Sequence, residues 1–207
     1  LLLTGVALGS VRHDRIEEAT TATRIERSIA NVVVVVDGVS TTVTGLVIDE
    51  DGHLIVPAGA VDDADEVWAR CADGMMDAAE VVAVDPDEGM AVLRLVTPAG
   101  APPTLAASAP RPGVEVLAVG AVPGALRTTD VTVLDRAGDG ADPGGFTAEM
   151  VPTGGDAATF ADTGGALVFD RYGALLGMTD AHPGEHGPFE VRSAETTLRT
   201  AHRLIDG

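Results

Sequence analysis

Apolar residues along this chain come in short runs separated by glycine, proline and acidic turns, the punctuation expected of a protein built from strands. Thr44 to Ile48 and Leu54 to Val56 flank Asp49-Glu50-Asp51-Gly52, which predicts a β-hairpin. The uniform run Val32-Val33-Val34-Val35-Val36 lacks polar alternation, so it predicts a strand buried on both faces. At both ends the period changes to that of a helix. From Val11 to Ala30, Ile16, Ala19, Ala22, Ile25 and Ile29 recur at helical spacing, with Arg15, Glu18 and Glu26 on the other face. Near the far end, Ser193 is a good N-cap, and Leu198, Ala201, Leu204 and Ile205 form the apolar stripe of a closing helix. Proline-rich joints at 97–103 and 109–113 separate two groups of strands. No internal repeat of 20 to 50 residues is evident.

Four stretches carry a resemblance to a known family. The hairpin Thr44–Val56 runs on into Pro57-Ala58-Gly59-Ala60-Val61. The segment Ala79–Leu95 is similar to A-x-V-V-x-x-D-x-x-x-D-L-A-V-L-K, and Arg111–Gly120 to R-x-G-D-x-V-x-A-I-G. Asp162-Thr163-Gly164-Gly165-Ala166-Leu167-Val168 and the residues to Met178 resemble N-S-G-G-P-L-V-x-x-x-G-x-V-I-G. Together, in order over roughly residues 30 to 205, these resemble bacterial trypsin-like serine proteases of the HtrA type. The resemblance implies an all-β fold of two six-stranded antiparallel Greek-key barrels, with an N-terminal and a C-terminal helix. Its expected limits are an apolar start and helix over 1–30, a first barrel over about 31–108, a second over about 109–192 and a helix over 193–206.

The same alignment of motifs withdraws the family's chemistry. The catalytic histidine, aspartate and serine of the family fall on Gly59, Gly89 and Thr163. A hydroxyl is a weak nucleophile until a base takes its proton, and that base must itself be held in orientation. Glycine does neither. The oxyanion-hole remnant implied by the resemblance is Ala161 with Thr163. Of the five histidines, His53 sits in the hairpin before the expected base, and His13 and His202 lie in helical stretches near the ends. His182 and His186 occur in Asp180-Ala181-His182-Pro183-Gly184-Glu185-His186, a formal match to the H-x-x-E-H zinc pattern. That pattern needs both imidazoles on one helical face, and Pro183-Gly184 forbids a regular helix. No metal is expected there. By the resemblance, Asp180, His182, Glu185 and His186 belong to a loop bordering the cleft.

Charge removes one partner class. A formal net charge of −19 repels phosphate backbones, so neither DNA nor RNA is expected. All thirteen basic residues are arginine, and Asn31 is the single asparagine. Cys71 is the only cysteine, which excludes an internal disulfide and reads as a small buried hydrophobe on a strand. The loop Asp135–Gly145 reads as solvated linkage. Leu1–Gly9 is apolar but too short to span a bilayer; it reads as the trailing end of a membrane anchor or of a signal sequence.

Two functional readings stand. The first is a catalytically inactive protease-fold protein acting as a binding or scaffold module outside the cytoplasm, anchored or secreted, in a membrane-associated complex joined through its N-terminal segment. Its partner is a protein or peptide, and no cofactor is implied. The alternative is an active serine-type endopeptidase with a non-standard site around Thr163.

Overall fold

The computed structural model describes residues 19–136, 142, 144–150, 165–179 and 188–207. Among these residues twelve strands form two closed antiparallel barrels. The first uses β1 (Ile29–Val36), β2 (Val39–Val47), β3 (His53–Pro57), β4 (Glu66–Arg70), β5 (Met76–Asp85) and β6 (Met90–Leu95). The second uses β7 (Glu115–Val122), β8 (Ala125–Arg136), β9 (Phe146–Met150), β10 (Leu167–Phe169), β11 (Leu175–Thr179) and β12 (Phe189–Ser193). Neighbours around the first barrel are β1-β2-β3-β6-β5-β4, and around the second β7-β10-β11-β12-β9-β8. Adding six to each strand number of the first order reproduces every pairing of the second, so one topology is used twice. The expected two-barrel architecture is therefore present, and closure leaves neither sheet with a free edge.

Three apolar clusters hold this arrangement, and strand alternation assigns them. Even-numbered residues of β1 (Ala30, Val32, Val34) point into the first barrel with Leu54, Val56, Ala91 and Leu93. Val116, Ala118, Val131, Phe146, Val168 and Val191 fill the second. The third cluster lies between barrels: Ile29, Leu46, Ile55, Val92, Val119, Leu167, Phe169 and Met178, all buried. The valine run is thus not buried on both faces. Val32 and Val34 are inside, whereas Val33 and Val35 are half-buried because beyond Ile29 and Asn31 their side of the strand leaves the inter-barrel contact.

The N-terminal helix, α1, is seen over residues 19–27 and ends sooner than its apolar spacing predicts. Ile29 and Ala30 are taken by β1, where pairing with Leu46 and Gly45 outweighs the helical pattern. Ile25 is buried in the inter-barrel cluster, and the Arg24 guanidinium donates to the Tyr172 carbonyl oxygen at 2.8 Å. This helix packs on the β10–β11 turn, where Gly173 (φ +78°) lies against Thr21 and Ile25.

The closing helix, α2 (Ala194–Asp206), starts at the Ser193 cap, whose hydroxyl oxygen accepts from the Thr196 amide at 3.2 Å. Ala201 is fully buried and Leu198, Leu204 and Ile205 pack on the inter-barrel cluster, as the stripe predicts. One carboxylate from the loop read as solvated linkage secures the helix start. Asp142 accepts from the Ser193 amide at 2.7 Å, the Ser193 hydroxyl at 2.5 Å and the Thr196 hydroxyl at 2.8 Å. Burial alone would raise its pKa, but those bonds and the Gly144 amide hold it below the ordinary carboxylate value. A depressed folded-state pKa gives stability that is complete above the unfolded value of 3.8 and is lost as pH falls through the folded value. Asp142→Ala is expected to cost about 2 kcal/mol at neutral pH, mostly through the capping bonds to a charged acceptor. Urea unfolding at pH 7 and pH 3 checks this: the gap between variant and parent should narrow in acid.

Candidate functional site

At the inter-barrel face, β3 runs into a single 3-10 turn, Ala58–Ala60. The Ala58 amide donates to the Gly89 carbonyl oxygen at 2.9 Å. This bond sets Gly59 and Gly89, where the sequence resemblance leads one to expect the family's histidine and aspartate, in adjacent turns of the first barrel. A β-carbon added at Gly59 would meet nothing within 4 Å, and the backbone there is not left-handed. Gly89 differs, since its φ of +66° in the β5–β6 turn is one that side chains rarely tolerate. That turn is closed by the Gly89 amide on the Pro86 carbonyl at 3.2 Å and the Glu88 amide on Asp85 Oδ1 at 3.1 Å.

Two arginines tie this turn to the second barrel and the closing helix. The Arg192 guanidinium, on β12, donates to the Glu88 carbonyl oxygen at 2.6 Å and lies 3.4 Å from the Glu88 carboxylate. Arg203, on α2, pairs with Asp85 at 2.9 Å. The latter is well exposed, so it contributes little stability, and its effect is to orient. Beside Gly89, Pro57, Met90, Met178, Thr179, Arg192 and Thr197 line a small open recess of about 10 Å³, about the room of one water.

Proton abstraction at such a site needs a base, and two histidines lie among the described residues. His53 opens β3, whereas Gly59 follows its other end, so about 15 Å of strand separates them. Its ring Nδ1 is 2.6 Å from Asp49 Oδ2. Burial opposes ionisation of Asp49, but the amide and ring of His53 and the Asp51 amide outweigh it and hold the carboxyl below its ordinary value. This pair closes the hairpin. His202 is exposed on α2.

Ala161 and Thr163 lie outside the described residues, as do Asp180, His182, Glu185 and His186 of the predicted cleft loop. Gly165, two residues beyond Thr163 in the chain, has φ +84° and lies against Pro57: an added β-carbon would be 3.1 Å from Pro57 Cγ. The Gly165 carbonyl accepts from the Thr44 hydroxyl at 2.7 Å, and the same hydroxyl oxygen accepts from the Ala121 amide at 2.9 Å. Thr44 thus binds the first barrel to two segments of the second. Among the described residues no group of three or more His, Cys, Asp or Glu side chains is arranged to hold a metal ion.

Sequence reasoning missed three of these residues. Thr44, Asn31 and Asp142 join segments far apart in the chain, and only the rarity of Asn31 offered a signal. Cys71, by contrast, is buried as expected, directly after β4. Burial, and then the carboxylates of Asp73 and Asp77, push its thiol up to about 11 from 9.0. Two units lower the thiolate fraction about 100-fold near neutral pH. The thiolate's greater nucleophilicity at higher pKa offsets part of this, so iodoacetamide should alkylate Cys71 at least about tenfold more slowly in the folded protein than in urea; equal rates by mass spectrometry would contradict this burial.

No helix among the described residues is long and apolar enough to cross a membrane. No curated protein sequence matches the chain. Its fold is similar to that of a serine endoprotease from Yersinia pestis, with a TM-score of 0.74 at 16% identity, covering 91% of this chain and 66% of that one. The chain therefore spans just under two thirds of that protease's length. It is also similar to Rv3671c from M. tuberculosis in an inactive serine-to-alanine form, with a TM-score of 0.67 at 21% identity, covering 91% of this chain and 92% of the other. Residues 43–178, more than half of the chain, match the model of the trypsin-like peptidase domain. With both barrels, their shared topology and this match in agreement, the chain belongs to the trypsin-like peptidase domain family.

Proposed function

We propose that this family member has lost peptide cleavage and serves as a binding or scaffold module outside the cytoplasm, within a membrane-associated assembly. The observation that carries the reading is the pair of adjacent turns bearing Gly59 and Gly89, joined by the Ala58–Gly89 hydrogen bond. Neither glycine offers a base or a carboxylate, and the two described histidines are engaged or exposed elsewhere. A rigid inter-barrel wall supports a scaffold role: Thr44, Arg192 and Arg203 each bridge structural units here.

The test combines turnover of casein and a broad peptide library with fluorophosphonate labelling. No turnover and no label at Thr163 are expected, and Thr163→Ala should behave as the parent does. Clear hydrolysis abolished by Thr163→Ala would establish the alternative, a serine-type endopeptidase with a non-standard site. Co-purification from the native membrane then tests the module: a stoichiometric partner is expected, and recovery of the chain alone counts against it.

A further inference from the structure

One seam of the first barrel closes over only part of its length. β4 and β5 pair at Trp68–Ala78, Ala69–Asp77 and Arg70–Met76 and at no other described residue, although β5 continues to Asp85. On its other side β5 stays paired with β6 from Ala79 to Asp85, with a bulge at Val82. The Ala78 carbonyl accepts from the Val96 amide at 3.1 Å on that β6 side, so by strand alternation the amide and carbonyl of Val81 face the open side. Where the β4–β5 ladder would continue lies an open groove of about 440 Å³, lined by Asp65, Glu66, Val67 and Trp68 on one flank and Ala79 and Val81 on the other. Val81, Val82 and Val84 are each 43% exposed along this strand. A strand side that is both unpaired and apolar is a template for another chain.

Charge selects the occupant. The ionisable residues lining the groove, Asp65 and Glu66, are both acidic, and the whole chain carries −19, so a basic segment is drawn in. The Glu66 carboxylate accepts from the Trp68 indole N–H at 3.1 Å, which holds an aromatic face beside an acid. An arginine guanidinium suits that pair, because it stacks on an indole and bonds to a carboxylate. Val67, Ala79 and Val81 offer apolar contact to the neighbouring side chains of such a segment. A second copy of this chain fits badly: it brings the same acids to the same seam, and the Val82 bulge interrupts regular edge-to-edge pairing.

We propose that the open side of β5 takes up, as an added strand, an extended segment of a partner protein in which arginine alternates with apolar residues, its backbone on Val81 and a guanidinium on Trp68 and Glu66. This gives the binding module proposed above a partner chemistry. Because the groove shares no lining residue with the recess beside Gly89, it stands or falls separately from the loss of cleavage.

Trp68 is the only tryptophan, so its fluorescence reads the groove directly. A short blocked peptide alternating arginine and valine is titrated into the whole chain, beside a version with glutamate for arginine and one N-methylated throughout. The arginine peptide should shift Trp68 emission saturably and the glutamate version should not. N-methylation removes the main-chain donors and should weaken binding about tenfold or more. Glu66→Gln should weaken it a few-fold. Val81→Pro takes the amide from the open side without taking a donor from the β6 ladder, and should abolish the shift; its Tm verifies that it is folded. No saturable shift at about 1 mM arginine peptide would overturn the proposal. So would equal binding of the glutamate or N-methylated peptide, undiminished binding in folded Val81→Pro, or self-association of the chain that Val81→Pro abolishes, which would assign the seam to a second copy.

Discussion

Gly177→Ala is expected to break the second barrel. Gly177 is in the middle of β11, paired with Val168 on one side and Ser193 on the other. A β-carbon there would overlap the Arg192 carbonyl oxygen and lie 2.8 Å from Val191 Cγ1. The obstructing atom is backbone in a closed barrel, so it cannot rotate aside as a side-chain tip would; β11 or β12 must shift, and Phe146, Val168 and Val191 lose their packing with it. Overpacking costs about 1–3 kcal/mol where side chains can adjust, and this site falls at or beyond the upper end. For a chain of this size, 3 kcal/mol corresponds to a Tm lower by about 6–12 °C. Gly59→Ala is the control, since its added carbon meets nothing and its backbone suits an ordinary residue. Its Tm should stay level or rise slightly, because the unfolded chain loses freedom. Thermal melts of both variants by circular dichroism decide the matter: a fall under 2 °C for Gly177→Ala would mean that the barrel adjusts at a cost below about 1 kcal/mol.

The contrast between those glycines explains what could be read from the chain. Strand positions were legible where alternation or a turn motif is local: Asp49-Glu50-Asp51-Gly52 marks the β2–β3 hairpin, and Ser193 marks the start of α2. Interactions across barrels left no such trace. The valine run announces a strand but not that β1 divides its faces between a barrel interior and a neighbouring barrel. The Asp142 contact spans 51 residues to Ser193, and those of Asn31 span 91 and 94, distances over which periodicity says nothing. The end of α1 was misplaced for a related reason, because tertiary pairing overrode an intact local pattern at Ile29. At the candidate site, Gly59 and Gly89 carry no chemical signature of their own, so only the framework around them could single them out. Glycine at 89 has a backbone reason in its positive φ, whereas glycine at 59 has none that sterics supply.

That last difference makes the cleavage experiment quantitative. General-base assistance is worth about 10²–10⁴ in rate, and triad members act as a unit, so losing two of three leaves only what binding and oxyanion stabilisation provide. Against an ordinary kcat/KM of about 10⁴–10⁸ M⁻¹s⁻¹, a parent that has lost this machinery, as proposed, is expected to fall by about 10⁶, which reads as no turnover in the casein and library assays. Gly59→His should fold as stably as the parent, because the added side chain begins in open space. It should still not cleave, since an imidazole without its carboxylate partner is not held in orientation. Gly89→Asp carries a backbone cost of about 1–2 kcal/mol for a side chain at φ +66°, which the Arg192 contact to the adjacent Glu88 carbonyl does not relieve. The variant combining Gly59→His, Gly89→Asp and Thr163→Ser is therefore the one expected to gain hydrolysis, with each single change remaining at the parent's level. Initial rates on a fluorogenic peptide library measure the triple variant, the three single variants, the parent and Thr163→Ala, and turnover by the unmodified chain that disappears in Thr163→Ala would end the inactive reading outright.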